Sequence, residues 1–328
     1  MSDVLIVKGL TKRYPGASVD AVSDLSFSLS KGSICGFIGP NGAGKTTTMR
    51  ICSTLELPDT GEAFVDGYSV LSHPDEVRRR IGFMPDAFPI DPTIKVRDML
   101  EFFGRAHGLW GQNLTDMKAS VVEFTNLQDM LDKQFGALSK GMKQRAALAT
   151  VLMHDPQLLI WDEPAAGLDP RARVELRTLL RLLADQGKTI LISSHILAEL
   201  TEICTHAVVI EQGCLKANRS LTSVQEGGTE TQASSDGASD EIVKPAVRLY
   251  VETLQHPEFV CKLLTETDGV IGAVPHDFGV LMEFKGDKEA QADLLKLLVD
   301  SNVQPTRFVE QKMDLEDLFL SLTEGKVQ

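Results

Sequence analysis

Short apolar runs punctuate the first part of the chain: VLIVKGL at 4–10, ICGFIG at 34–39, LLIW at 158–161, KTILIS at 188–193 and HAVVIEQ at 206–212. Runs of this length and density predict strands covered on both faces of a sheet. Between them, apolar positions recur at helical spacing. VRDMLEFFGRAHGL at 96–109 predicts one helix and the segment 113–133 a second. A third follows Pro170 and ends near Gly187, a C-terminal cap. The alternation predicts α/β architecture, with a helical insert at about 86–157.

The pattern breaks after residue 224. Residues 225–245 contain QEGGTETQASSDGASDEIVK, dominated by small, polar and acidic side chains, and predict a flexible linker. A second pattern fills 246–328. VRLYVET predicts a strand, HPEFVCKLLTET a helix, GVIGAV and GVLMEF two strands, KEAQADLLKLLVD a helix and VQPTRFVE a strand. DLEDLFLSL predicts a last helix, and Glu310, Asp314, Glu316 and Asp317 a solvated charged face. The order βαββαβ plus a helix predicts a small α+β domain of the ferredoxin-like, split βαβ kind. The expected division is therefore 1–224, a linker at 225–245, and an accessory domain at 246–328.

Composition narrows the function. The 328 residues carry a formal net charge of −13, which argues against a nucleic-acid partner, whose affinity rests on neutralising phosphates. The five cysteines form no CxxC pair and read as reduced, mostly buried thiols. MSDVLIVKGL lacks the basic-then-apolar pattern of a signal peptide. No apolar stretch approaches the ~20 residues of a membrane-spanning helix, so membrane spans would have to come from another chain.

The strongest chemical signal is Gly39-Pro40-Asn41-Gly42-Ala43-Gly44-Lys45-Thr46, which fits G-x-x-x-x-G-K-[ST] between a strand and a helix. Glycines let backbone N–H groups approach phosphate oxygens closely. Lys45 adds a point charge at the β- and γ-phosphates, Thr46 a hydroxyl for Mg²⁺, and the helix N-terminus a favourable dipole. Far downstream, LLIWDEP is an apolar strand ending in Asp162 and Glu163. Alternation along a strand would send these carboxylates to opposite faces, one to hold Mg²⁺ and the other to polarise water.

With these two motifs in place, further residues resemble the ABC ATPase family over roughly 3–220. Leu138-Ser139-Lys140-Gly141-Met142-Lys143-Gln144 resembles the signature, usually LSGGQ, and Ala165-Ala166-Gly167-Leu168-Asp169 the D-loop. His195 resembles the switch histidine, and Tyr14 the aromatic that stacks on adenine. The segment 81–100 resembles the Q-loop region, with Asp86 at the usual Gln. The resemblance implies a P-loop NTPase of ABC type: a mixed sheet with a helical insert, ATP and Mg²⁺ as cofactors, and a head-to-tail dimer of two ATPase subunits, here a homodimer. ATP would lie between the phosphate loop (Gly39 to Thr47) of one subunit and Ser139, Lys140, Gly141 and Met142 of the other. Glu163 would activate water, His195 contact the γ-phosphate, and Thr46, Asp162 and Asp86 face the metal.

Ser139 is also a good N-cap for the helix that follows it, which would aim that helix's dipole across the interface. Asp86 puts a charge where the family has a neutral amide. Lys140 and Met142 depart from the usual signature. Both departures resemble ATPases of ABC-2-type exporters, which implies a membrane permease on a separate chain and a place on the cytoplasmic face of a membrane. Phe88, Ile90, Phe102 and Phe103 would offer it a docking groove. Two other readings are a non-transport ABC switch acting on ribosomes or DNA, disfavoured by the single motif set and the acidic charge, and a weakly hydrolysing partner in a heterodimer, supported only by Asp86 and Met142.

Overall fold

The computed structural model describes residues 3–194, 203–221, 246–265, 267–276 and 278–310, which fall into two compact units. The predicted linker at 225–245, the last helix at 314–322 and His195 lie outside them.

The first unit holds two sheets. One is antiparallel, in the order β2 (Val22–Ser30), β1 (Asp3–Lys12), β4 (Thr60–Val65), β5 (Tyr68–Ser69). The other has six strands, in the order β10 (Cys214–Ser220), β9 (His206–Glu211), β3 (Ile34–Ile38), β8 (Thr189–Ser194), β7 (Leu158–Trp161), β6 (Ile81–Met84). The strands β9, β3, β8, β7 and β6 run parallel and β10 antiparallel, so the predicted mixed sheet is present. Strands β3, β7 and β8 are buried at every position. In β1 exposed and buried positions mix, because an antiparallel sheet keeps one side toward solvent. Val4, Leu5, Leu25 and Phe27 of the small sheet share a core with Phe37, Ile160, Leu191 and Val208 of the large one. Helix α1 (Lys45–Cys52) adds Met49, Ile51 and Cys52 to that core. Each fully buried large apolar side chain there contributes about 2–3 kcal/mol.

Helices α2 (Pro74–Arg80), α3 (Val96–Ala106), α4 (Gly111–Phe124), α5 (Lys140–Leu152) and α6 (Pro170–Asp185) complete the unit. The second predicted helix stops nine residues early, at Phe124 rather than 133. The Thr125 hydroxyl donates to the Val121 carbonyl, and Asn126 then turns to φ +53, which a helix cannot continue through. Gly187 takes φ +84 past the end of α6, as a C-terminal cap requires.

Of the five thiols, Cys35, Cys52 and Cys204 are buried, while Cys214 is exposed. Burial pushes the Cys35 and Cys52 thiols up to about 12, which keeps them protonated and unreactive. Among the described residues no helix is long and apolar enough to cross a membrane.

The second unit contains β11 (Ala246–Thr253), α7 (Pro257–Thr265), β12 (Val270–His276), β13 (Gly279–Lys285), α8 (Lys288–Asp300) and β14 (Pro305–Glu310). Its sheet is antiparallel in the order β12-β13-β11-β14, the ferredoxin-like arrangement. Both helices cover one face: Val260 and Leu264 of α7 and Leu294 and Leu298 of α8 share a core with Leu249, Val251, Val280 and Met282. Asp287 caps α8 by accepting the Ala290 N–H at 3.0 Å. Glu310 is paired with Lys288 at 2.8 Å on the surface.

At the junction of α5 and α3, His154 stacks on His107 with ring centroids 3.8 Å apart and planes 4° from parallel. His154 Nε2–H donates to the Ile81 carbonyl at 2.8 Å, and its buried Nδ1 has no partner among the described residues. Burial pushes His154 down to about 4; neighbouring Asp155 opposes this and Lys188 reinforces it. A histidine depressed in the fold stabilises it fully above about pH 6.5, and that contribution is lost as the pH falls toward 4. His154→Gln keeps a donor for Ile81 but cannot charge. Between pH 7.5 and 5 its melting temperature is expected to fall about 3 °C less than that of the wild type, measured by differential scanning fluorimetry.

Candidate nucleotide site

The parallel strands all present their carboxyl ends on one side, where ligands bind in open α/β sheets. The phosphate loop leaves β3 there, Asp162 and Glu163 follow β7, and Ser193 is the last residue but one of β8. Strand order puts β8 between β3 and β7, so Ser193 stands between the loop and the acid pair.

The loop needs its glycines for two reasons. Gly42 and Gly44 sit at φ +80 and +101, in the left-handed region that side chains disfavour. A Cβ on Gly44 would lie 2.3 Å from the Ala21 carbonyl oxygen, and one on Gly39 2.3 Å from that of Ile210. The loop is therefore wedged against β9 and the start of β2. Helix α1 opens at Lys45 directly after Gly44.

Lys45 is buried, and its ammonium donates to the carbonyls of Gly39 at 2.7 Å and Pro40 at 3.2 Å. It lies 3.6 Å from Glu163 Oε1. Burial pulls Lys45 below the usual lysine range, while Glu163 and Asp162 hold it up. Thr46 Oγ1 donates to Asp162 Oδ2 at 2.8 Å. The strand ends at Trp161, so alternation does not govern the two acids. Glu163 turns to φ +48, and both carboxylates come to the loop: Asp162 to Thr46, Glu163 to Lys45. A left-handed glutamate costs on the order of 1 kcal/mol, and such strain persists where the surroundings impose it.

Ser193 was not legible as a site residue. It reads as a small polar residue within an apolar strand, yet its hydroxyl donates to Asp162 Oδ1 at 2.5 Å and accepts the Glu163 N–H at 2.8 Å. One buried hydroxyl thus orients both members of the acid pair. The only signal was its position at the end of the strand that leads to His195.

Tyr14 is partly exposed at the entry to this region, with its hydroxyl 3.4 Å from Thr47 Oγ1 and the Lys12 ammonium 5.6 Å from its ring centroid. Asp86, two residues beyond β6, is exposed and forms no hydrogen bond or ion pair with the described residues. The Asp162 N–H does donate to the carbonyl of Met84, so the β6 end is tied to the acid pair through the backbone.

The signature residues occupy the start of α5. Ser139 caps it by accepting the Met142 N–H at 3.3 Å, and Lys140, Gly141 and Met142 form its first turn. No acid lies in that turn, so the helix dipole's positive end and the Lys140 charge stand together. Asp169 caps α6 by accepting the Ala172 N–H at 2.9 Å.

Hard oxygen donors, the Thr46 hydroxyl and the Asp162 carboxylate, suit Mg²⁺, which takes few protein ligands and completes its shell with water and substrate phosphates. Among the described residues no cluster of three or more His, Cys, Asp or Glu could hold a metal by itself.

A profile of the family described as "ABC transporter" matches residues 22–166. Nod factor export ATP-binding protein I of Ralstonia nicotianae is 32% identical over 98% of this chain and 94% of its own length. The protein of that name from Burkholderia orbicola is 41% identical over 63% of this chain and 67% of its own. A solved ATP-binding subunit of an ABC transporter superposes with a TM-score of 0.61 at 29% identity, covering 68% of this chain and 92% of that one. The chain belongs to the ABC transporter ATP-binding family, and its fold is that of an ABC-type P-loop NTPase followed by a small α+β unit.

Ser193→Ala is expected to leave the Glu163 N–H and one Asp162 oxygen without a partner in a buried site. It should destabilise the fold by about 1–3 kcal/mol. ATP turnover should fall by at least about tenfold, as steady-state phosphate release would measure.

Proposed function

We propose that the protein binds and hydrolyses MgATP at a head-to-tail interface between two copies of itself, and that the cycle drives an export permease carried on a separate membrane chain. The observation that carries this reading is the convergence of Lys45, Thr46, Asp162, Glu163 and Ser193 at the phosphate loop, with contacts of 2.5–3.6 Å. Lys45 and the loop amides bind the β- and γ-phosphates. Tyr14 stacks on the adenine. Thr46, Asp162 and Asp86 would hold a Mg²⁺, which would screen phosphate charge when bound.

In this reading Glu163 accepts a proton from the attacking water, and the Lys45 ammonium stabilises the charge that develops on the γ-phosphoryl oxygens. His195 contacts the γ-phosphate from the end of β8. The partner subunit's α5 start, through the cap Ser139, the Gly141 amide and Lys140, completes the site, and Asp169 lines the same interface. Part of the support is the open anion-favouring turn at Lys140–Met142. A dimeric ATP-binding cassette holding ADP and Pi shares the fold at 22% identity, with a TM-score of 0.60.

Export is supported by the named export function of the relatives that align with this chain, and the ABC-2 type rests on the departures at Asp86, Lys140 and Met142 alone. The substrate is set by the permease. The proposed division is an ATPase domain at 1–224, a linker at 225–245 and an accessory domain at 246–328, with the protein lying on the cytoplasmic face of the membrane. For docking, Phe88 and Phe103 pack with ring centroids 6.0 Å apart beside Ile90 in sequence, while Phe102 is 62% exposed at the end of the same aromatic row.

Glu163→Gln is expected to abolish turnover while trapping an ATP-bound dimer, read by size-exclusion chromatography with and without MgATP. Equal hydrolysis by wild type and variant would remove Glu163 from the base role. Affinity purification from the native membrane is expected to recover an integral membrane chain with the wild type and much less with Phe102→Glu. Equal recovery would remove Phe102 from the docking surface.

A further inference from the structure

The hairpin joining β9 to β10 turns at Gln212 and Gly213, with φ +50 and +78, the two-residue turn that right-twisted hairpins favour. Such a turn needs glycine on its own account. Three contacts at Gly213 go further. Its N–H donates to the carbonyl of Ala43, inside the phosphate loop, at 3.0 Å. Its own carbonyl accepts the Ser23 N–H of β2 at 2.9 Å. A Cβ there would lie 3.0 Å from both the Ala21 carbonyl oxygen and Val22 Cα, backbone atoms that cannot swing aside.

We propose that Gly213 is a positioning residue for ATP: the turn is a clasp that sets the orientation of a phosphate-binding amide. In a trans peptide the carbonyl and the following N–H point in opposite directions. Holding the Ala43 carbonyl toward Gly213 therefore turns the Gly44 N–H away from the hairpin and into the loop. Gly44 is buried, and among the described residues its N–H meets no protein acceptor. As the N-cap of α1 it has no intrahelical acceptor, which leaves the N–H available to an anion in the loop. The loop's neighbouring glycine contact, Gly39 against Ile210, comes from the same strand that enters the turn. The inference rests on the loop's holding ATP and not on hydrolysis.

The molecule contains its own control. Asp66 and Gly67 form a turn with φ +48 and +81 between β4 and β5, and a Cβ on Gly67 meets nothing within 4 Å. Gly67→Ala and Gly213→Ala thus impose the same backbone strain, but only the second displaces the loop. Binding of ATP to each full-length variant is measured by isothermal titration calorimetry, and steady-state hydrolysis supplies KM and kcat.

Gly213→Ala is expected to weaken ATP binding and raise KM at least about tenfold with kcat changed less than about threefold, while Gly67→Ala matches the wild type. Gly213→Ala is expected to melt about 2–4 °C below Gly67→Ala, the cost of the added contact, so binding is compared well below both transitions. Equal ATP affinities for the two variants would overturn the clasp. Should Gly213→Ala fail to fold, amide hydrogen exchange on the wild type decides: MgADP should slow exchange at 211–214 and leave 66–67 unchanged, and unchanged exchange at 211–214 overturns the proposal. Wild type that binds ATP but releases no phosphate would instead refute the hydrolytic reading and leave the clasp standing.

Discussion

Everything at the site depends on holding one buried ammonium, that of Lys45, against two carboxylates beside the phosphate loop. An isolated buried charge is costly to remove from water, and burial indeed pulls Lys45 down. The carbonyls of Gly39 and Pro40, and Glu163 at 3.6 Å, offset that cost and fix where the ammonium stands. Such a cluster can be built only where several chain segments end together. The carboxyl edge of a parallel sheet provides that place, and the strand order β3-β8-β7 brings the loop, Ser193 and the acid pair side by side.

Rigidity of the surroundings follows from the same need. The small antiparallel sheet and α1 pack onto the large sheet through a core of fully buried side chains, and that core fixes the loop's base. Above that base the loop is held from β9, from the Gln212–Gly213 turn and from the start of β2, through close approaches to backbone oxygens and the Gly213–Ala43 hydrogen bond. Two layers of different character therefore converge on one short segment: apolar packing below and main-chain hydrogen bonding above.

Much of this was legible in the sequence wherever chemistry demands a residue type at a fixed spacing. The phosphate loop, the Asp162–Glu163 pair and the Ser139 cap were legible because each position takes only a few residue types. The order of strands and helices in the second unit followed from alternation and helical spacing, and its ferredoxin-like sheet is as expected. What escaped was set by tertiary geometry. Ser193 carries no spacing rule, since its partners lie 31 and 30 positions away. The early end of α4 turns on a left-handed Asn126, which periodicity does not register. Alternation misjudged the acid pair because β7 ends one residue before it, and Gly213 reads in one dimension as an ordinary hairpin glycine.

The left-handed Glu163 has an evolutionary corollary. Glycine at that position would relax the backbone by about 1 kcal/mol, but it would also remove the carboxylate that offsets the buried Lys45 ammonium, a larger loss. Substitution toward glycine is therefore opposed within the fold itself, apart from any part in chemistry. The strained backbone is held in place by the charge it presents, and any effort to harden the protein has to leave the pair intact.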